Sequence, residues 1–460
     1  MQVLRKAEKM KLPRIMISGA SSGSGKTMVT CGLLQAFLNR GLQPAAFKCG
    51  PDYIDPMFHS KIIGAKSRNL DSYFTDENTT RYLFARAANH ADISVMEGVM
   101  GFYDGISVSE KASSYELSKV TETPVILVVN CKGMSGSILA VIKGFLTLRS
   151  DNQIKGVLLN QISEQLYSLM KEQIESELQV KVFGYIPTVK NLMFESRHLG
   201  LVRPEEVEDY HRKLNELAAQ FEKTIDIDKL LQLAESAKEL SVQAPLLPKL
   251  EKSVRIAVAR DEAFCFYYED NLQLLKDMGA ELIEFSPISD SELAIGTQGL
   301  ILGGGYPELY AEALSNNTLM REAIRSALGK GIPCIAECGG FMYLHRNMED
   351  MKGQTFPMVG SIEGNIYKTN RLNRFGYIEL TAVKEQMLLA KDEAIRGHEF
   401  HYFESTLLGE DYKAKKPLRG TEWYCIHGGE HHMLGFPHLY YYSNPIVAYR
   451  FLLKCKKWNA

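Results

Sequence analysis

Apolar positions along the chain group into short unbroken runs separated by longer amphipathic stretches. Residues 14–18 (RIMIS), 44–48, 93–96, 125–129 and 156–159 each predict a strand. None alternates apolar with polar positions, which is the pattern of strands covered on both faces. Lys26 to Asn39 carries apolar residues at helical spacing and closes on Arg40-Gly41, where glycine accepts the left-handed turn that ends a helix. Strand–helix alternation of this kind predicts a parallel α/β sheet.

The pattern changes after Pro204. Val207, Tyr210, Leu214, Leu217, Ala218 and Phe221 recur at helical spacing among charges, an amphipathic helix with one packed face. LSVQAPLLPKLEKSV, residues 240–254, contains two prolines and reads as a linker. A second α/β unit begins at Val254, with helices near 270–278 and 318–330 and strands at 299–302 and 333–336. From Thr355 to Tyr449 the chain is rich in Gly, Tyr and His and reads as strands. The first ten or so residues read as a short disordered lead. The expectation is two unlike α/β domains, 13–240 and 253–452.

Length and charge sharpen this only slightly. At roughly 150 residues per domain, the 460 residues suggest about three domains, which the pattern reduces to two. Lys+Arg 53 against Asp+Glu 55 leaves a net charge of −2, which excludes a basic nucleic-acid coat. No 18-residue uncharged apolar stretch exists, and MQVLRKAEKMKLPR lacks the apolar core of a secretory signal. A cytoplasmic protein with neither membrane nor nucleic-acid partners is expected. The eight cysteines include no CxxC pair and read mostly as buried fillers.

Three segments carry chemistry. Gly19-Ala-Ser-Ser-Gly23-Ser-Gly25-Lys26-Thr27 lies between a strand and a helix, the frame of a phosphate-cradling loop. Its spacing is one residue longer than the usual P-loop. Lys26 would reach terminal phosphates and Thr27 would ligate Mg²⁺. Acids to share that ion follow two other strands, Asp52 and Asp55 in KCGPDYIDP and Glu97 in VMEGVMG. The third segment, GIPCIAE-Cys338-Gly339-Gly340, is a strand ending in a cysteine between small residues before an apparent helix, FMYLHRNM. That is a nucleophile elbow, with the helix N-terminus expected to lower the thiol pKa. Amides of Gly303–Gly305 with that of Gly339 would form an oxyanion hole. Six histidines, His398, His401, His427, His431, His432 and His438, are candidate bases, and spacing alone does not choose among them.

GASSGSGKT, FKCGPDYIDPMFH, MEGVMGFYDG, ESRHLGLV, LILGGGYPE, AECGG, NRFGYIE, GHEFHYFES and FPHLYYYSNP together resemble the cobyrinate a,c-diamide synthase family, from about residue 13 to 452. The resemblance implies an ATP- and tetrapyrrole-binding domain like dethiobiotin synthetase, followed by a class I glutamine amidotransferase domain. It implies Cys338 as glutaminase nucleophile, His438 as its activator, and Gly304 and Gly339 as oxyanion donors. It implies that Gly23, Gly25, Lys26 and Thr27 hold ATP, that Asn160 reads adenine, and that Thr27, Asp52 and Glu97 hold Mg²⁺. Tyr53, Asp55, Arg197 and His198 would contact the tetrapyrrole carboxylates. The acid that usually follows two residues after the histidine is replaced by Tyr440, so a Cys–His dyad is expected. The implied reaction is amidation of the a and c carboxylates of cobyrinate through acyl phosphates, with ammonia drawn from glutamine. A sister substrate, nickel-sirohydrochlorin, fits the same chemistry. A P-loop ATPase fused to a degenerate amidotransferase-like binding module is the alternative of another class.

Overall fold

Strand Arg14–Gly19 is buried along its whole length, as its unbroken apolar run requires, and sits inside a seven-stranded sheet. In the computed structural model, which describes residues 7–188 and 204–458, the chain divides into two compact units between Pro245 and Leu246. The first unit's sheet runs in the order Lys66–Leu70, Pro44–Cys49, Ile93–Glu97, Arg14–Gly19, Val125–Asn130, Ile154–Asn160, Lys181–Ile186, with every pairing parallel. Register sets Lys48 beside Glu97, and Glu97 beside Ile17. The loops after these three neighbouring strands therefore open on one edge, where ligands of open parallel sheets bind.

Helix Lys26–Asn39 covers one face of this sheet. Helix Pro204–Thr224 packs on it through the predicted stripe, with Leu214, Leu217, Ala218 and Phe221 buried. The approach is close enough that a Cβ at Gly32 would enter the Phe221 ring. Two predictions need correction here. Residues 8–10 are not a disordered lead but a strand, Glu8–Met10, paired antiparallel with Leu240–Val242. The segment read as linker thus begins inside the first unit. The pairing satisfies backbone groups that sequence alone leaves unassigned.

The second unit has a six-stranded sheet in the order Ala280–Phe285, Val254–Ala259, Gly299–Leu302, Cys334–Glu337, His432–Gly435, His427–Gly428. All pairs are parallel except the last. Beside it stands a second sheet built on the long strands Ile362–Ala382 and Ala394–Ser405. His438–Leu439 pairs antiparallel with Gly397 and His398. The predicted helix FMYLHRNM is half right. Helix Gly339–Tyr343 stops early, and His345–Glu349 is a strand of the second sheet. His345 ends the turn because its ring is buried between Phe341 O at 2.9 Å and Ser405 Oγ at 2.7 Å.

Candidate active sites in the two units

In the first unit the phosphate loop folds as its glycines predict. Gly23 and Gly25 take left-handed φ of 78° and 100°, and a Cβ on Gly25 would strike the Asn160 amide. Ser24 Oγ accepts the Ser21 N–H at 3.1 Å. Asn160, expected to read adenine, is buried and donates from Nδ2 to Ser24 O at 2.9 Å, so in this structure it braces the loop. Lys26 curls back onto Ser21 O at 3.1 Å and Met100 O at 2.5 Å. Burial and the nearby Lys48 charge lower its pKa, and an anion brought to the ammonium would raise it again.

Beneath the loop lies a buried charge cluster. Thr27 Oγ1 donates to Glu97 Oε1 at 2.6 Å. Lys48 Nζ donates to Asp55 Oδ2 at 2.5 Å and to Glu97 Oε1 at 2.7 Å, with Asp52 Oδ2 at 3.9 Å. Burial opposes the Lys48 charge, but Glu97 and Asp55 hold it charged beyond the usual ammonium range. Burial and the Asp55 charge push Glu97 up to about 7 against the pull of Lys48. His59 Nε2 lies 3.5 Å from Glu97 Oε2, and burial drops its pKa to about 4, so the ring is neutral. Of the two aspartates, Asp55 is the one brought to Glu97. Asp52 instead accepts the N–H groups of Ile54 and Asp55 at 2.8 and 3.2 Å, a turn-capping role beside the half-exposed edge of the cluster. Tyr53 is buried at the start of that turn. Arg197 and His198 lie outside the described residues.

Lys48 and His59 were not singled out from sequence. Lys48 left a signal, since it is the one charge in the wholly buried strand Pro44–Cys49 and a buried ammonium needs partners. His59 closes GPDYIDPMFH but looks like an ordinary helix residue.

Among the described residues no group of three or more His, Cys, Asp or Glu side chains forms a metal cage. The donors under the loop nevertheless fit Mg²⁺. They are hard oxygens, and Glu97 Oε2 is buried with no hydrogen-bond partner. Mg²⁺ asks for only one or two carboxylates beside water and phosphate.

In the second unit Cys338 sits at φ 47°, ψ −105° between strand Cys334–Glu337 and helix Gly339–Tyr343. A non-glycine residue there is strained, a cost tolerated at elbows that project a nucleophile. The small neighbours are required: a Cβ on Gly340 would strike the Leu302 carbonyl, and one on Gly339 would lie 2.9 Å from Pro307 Cδ. Gly304 is the point where the candidates meet. A Cβ there would lie 2.5 Å from His438 Cε1 and 3.5 Å from Cys338 Cβ. His438 is buried and stacks on His398 with ring centroids 4.9 Å apart, and His398 Nδ1 lies 3.1 Å from Tyr268 Oη. His401 and His427 bond instead to the carbonyls of Phe403 and Leu407. Tyr440 packs edge-on against Tyr268 and supplies no acid.

One expectation is overturned. The thiol is not acidified: burial, then the Glu308 charge, push Cys338 up, although the Gly339 N–H pulls the other way. The following helix has only five residues, too short for its dipole to outweigh burial. Burial likewise lowers His438 to about 3. The resting pair is therefore neutral thiol and neutral imidazole.

Residues 15–201 match the family model described as the CobQ/CobB/MinD/ParA nucleotide binding domain. Residues 255–422 match the CobB/CobQ-like glutamine amidotransferase domain. A cobyrinate a,c-diamide synthase from Caldanaerobacter subterraneus subsp. tengcongensis is 40% identical over 447 residues, 96% of this chain and 98% of that one. One from Listeria innocua is 41% identical over 443 residues, 94% and 97% of the two chains. Among solved structures, PurLQS from Thermotoga maritima covers 44% of this chain and 98% of its own, at 15% identity and a TM-score of 0.34. No helix among the described residues is long and apolar enough to cross a membrane.

Proposed function

The chain belongs to the cobyrinate a,c-diamide synthase family of glutamine-dependent amidotransferase ligases, and from that premise we propose that it amidates the a and c carboxylates of cobyrinate in cobalamin synthesis. Residues 13–240 bind ATP and the tetrapyrrole, and residues 253–452 release ammonia from glutamine. The reading is supported by one observation: a glycine-rich loop carrying Lys26 and Thr27, with Thr27 bonded to Glu97, and Cys338 and His438 both against Gly304 occur in the same chain.

A carboxylate does not yield to ammonia, because hydroxide is a poor leaving group. In the first unit a substrate carboxylate oxygen attacks the γ-phosphorus of ATP, and ADP leaves. Ammonia then attacks the acyl carbon, and inorganic phosphate departs as the amide forms. Lys26 leaves Ser21 O and Met100 O to follow the γ-phosphoryl oxygens. Gly23 and Gly25 let the loop backbone approach the phosphates. Lys48 keeps Asp55 and Glu97 together without mutual repulsion. Thr27, Glu97 and one aspartate would hold Mg²⁺, which would supply charge neutralisation at the phosphates. Asn160 keeps the loop in place beneath the nucleotide, and Tyr53 and Asp55 line the substrate side.

In the second unit Cys338 Sγ attacks the glutamine carboxamide carbon while its proton passes to His438. The oxyanion is met by the Gly304 and Gly339 amides. The imidazolium returns the proton to the departing ammonia, and water hydrolyses the glutamyl thioester.

Purified protein supplied with ATP, glutamine and either cobyrinate or nickel-sirohydrochlorin tests the reading by mass spectrometry. Two amidations of cobyrinate are expected, and amidation of nickel-sirohydrochlorin alone overturns the substrate assignment. Cys338→Ala should abolish glutamine-dependent amidation and keep ammonia-dependent amidation. Loss of both would refute the division of labour.

A further inference from the structure

The position two residues after His438 holds Tyr440, so no acid reaches the imidazole from there. A carboxyl group approaches it from another direction. Glu337 ends the strand Cys334–Glu337, immediately before the candidate nucleophile. Its Oε2 lies 3.8 Å from His438 Nδ1, and its Oε1 accepts the Leu439 N–H at 3.2 Å. The carboxyl thus spans two adjacent residues of the histidine's own strand, anchored by a backbone donor. Both side chains are withdrawn from water, Glu337 at 13% and His438 at 2% exposure. Catalytic hydrogen bonds are often longer than ideal in free enzymes and tighten only in the Michaelis complex.

We propose that Glu337 is the positioning residue of the glutaminase centre, a third member that accepts the Nδ1 proton of His438 and leaves Nε2 as the base. The inference rests on the reading of Cys338 and His438 given above. Its logic is that of any nucleophile–base–acid triad. The acid fixes the imidazole tautomer and orientation, and stabilises the imidazolium formed when the thiol proton moves. Here the acid comes from the residue before the nucleophile, so strand and elbow carry two of the three members.

The electrostatics give the idea a signature. Burial pushes Glu337 up to about 8, opposed by the Leu439 N–H. The phenols of Tyr267 and Tyr441, the Cys338 thiol, and the imidazoles of His398 and His401 are titratable groups that interact with the pair, and the carboxyls of Glu308 and Glu399 act on the Cys338 thiol. A protonated carboxyl cannot stabilise an imidazolium. Glutaminase kcat/KM should therefore rise as pH increases towards 8 and Glu337 releases its proton to solvent. The thiol proton goes to His438, and the S–C bond forms as the carboxamide π bond opens.

The test compares full-length Glu337→Gln, Glu337→Asp and Cys338→Ala. Glu337→Gln keeps an acceptor for Leu439 but cannot ionise. It should lower kcat/KM for glutamine hydrolysis by about 100-fold and lose the limb near pH 8, with ammonia-dependent amidation as the readout that the chain is folded. Glu337→Asp should recover part of the loss. Iodoacetamide alkylation of Cys338 against pH should follow the wild-type limb and lose it in Glu337→Gln. A Glu337→Gln enzyme with the wild-type pH profile and a loss under about threefold overturns the proposal. Should Glu337→Gln not fold, an unaltered profile in Glu337→Asp overturns it equally. If Cys338→Ala still hydrolyses glutamine, the nucleophile reading itself fails. If Cys338→Ala is inactive while Glu337→Gln behaves as wild type, only the Glu337 assignment fails.

Discussion

At the scale of single residues, both candidate sites are governed by burial. Cys338, His438, Glu337 and Glu97 are all displaced towards their neutral forms by loss of water. Lys48 and Asp55 are the exceptions: two carboxylates within 2.7 Å outweigh the desolvation of Lys48, and Lys48 in turn holds Asp55 below the usual carboxylate range against burial. Removing Lys48 leaves Asp55 and Glu97 buried without their cation. Lys48→Met should therefore destabilise the protein by about 3–5 kcal/mol at pH 8, read from urea unfolding. The sign with pH follows from the Glu97 carboxyl, already raised to about 7. Without Lys48 the folded carboxyls bind protons that the unfolded chain has released. The deficit should shrink from pH 8 towards pH 5, because the slope follows the difference in bound protons. A deficit that grows on acidification would show that the cluster is not held by this ammonium.

At the scale of elements, what was legible depended on how each strand is covered. Arg14–Gly19, Ile93–Glu97 and Val125–Asn130 lie inside the sheet, and their apolar runs announce it. The edge strands Lys66–Leu70 (KSRNL) and Lys181–Ile186 carry no such announcement; the polar composition of the first looks like a loop. FMYLHRNM reads as a single helix because its apolar residues run through both halves, and only the seating of His345 separates the helix from strand His345–Glu349. The phosphate loop and the elbow were legible because glycines fix local backbone. The partners were not: Lys48 reaches Glu97 across 49 positions, and Leu439 reaches Glu337 across 102. Helix packing offers a check at this scale. Gly32→Ala should push helix Pro204–Thr224 off helix Lys26–Asn39 at Phe221 and cost about 1–3 kcal/mol. A melting temperature unchanged from wild type would contradict that contact. Glutamine hydrolysis should persist, since its residues belong to the other unit.

At the scale of the whole molecule, the proposed chemistry divides between two units, each assigned the groups for one half-reaction. Lys26→Ala should remove ATP-dependent amidation and keep glutamine hydrolysis, the converse of Cys338→Ala. Mixing the two variants then asks whether ammonia is handed on within one chain. Ammonia released into neutral water is largely protonated and diluted, and ammonium has no lone pair with which to attack an acyl carbon. An equimolar mixture of Lys26→Ala and Cys338→Ala, with ATP, glutamine and cobyrinate, should therefore form amide far more slowly than the same amount of wild-type enzyme. Added ammonium salt at alkaline pH should restore the mixture, because the Cys338→Ala chain then receives free ammonia from solution. Complementation to near the wild-type rate at low enzyme concentration and no added ammonia would mean that ammonia travels through bulk solvent. The covalent fusion of the two units would then need an explanation other than ammonia transfer.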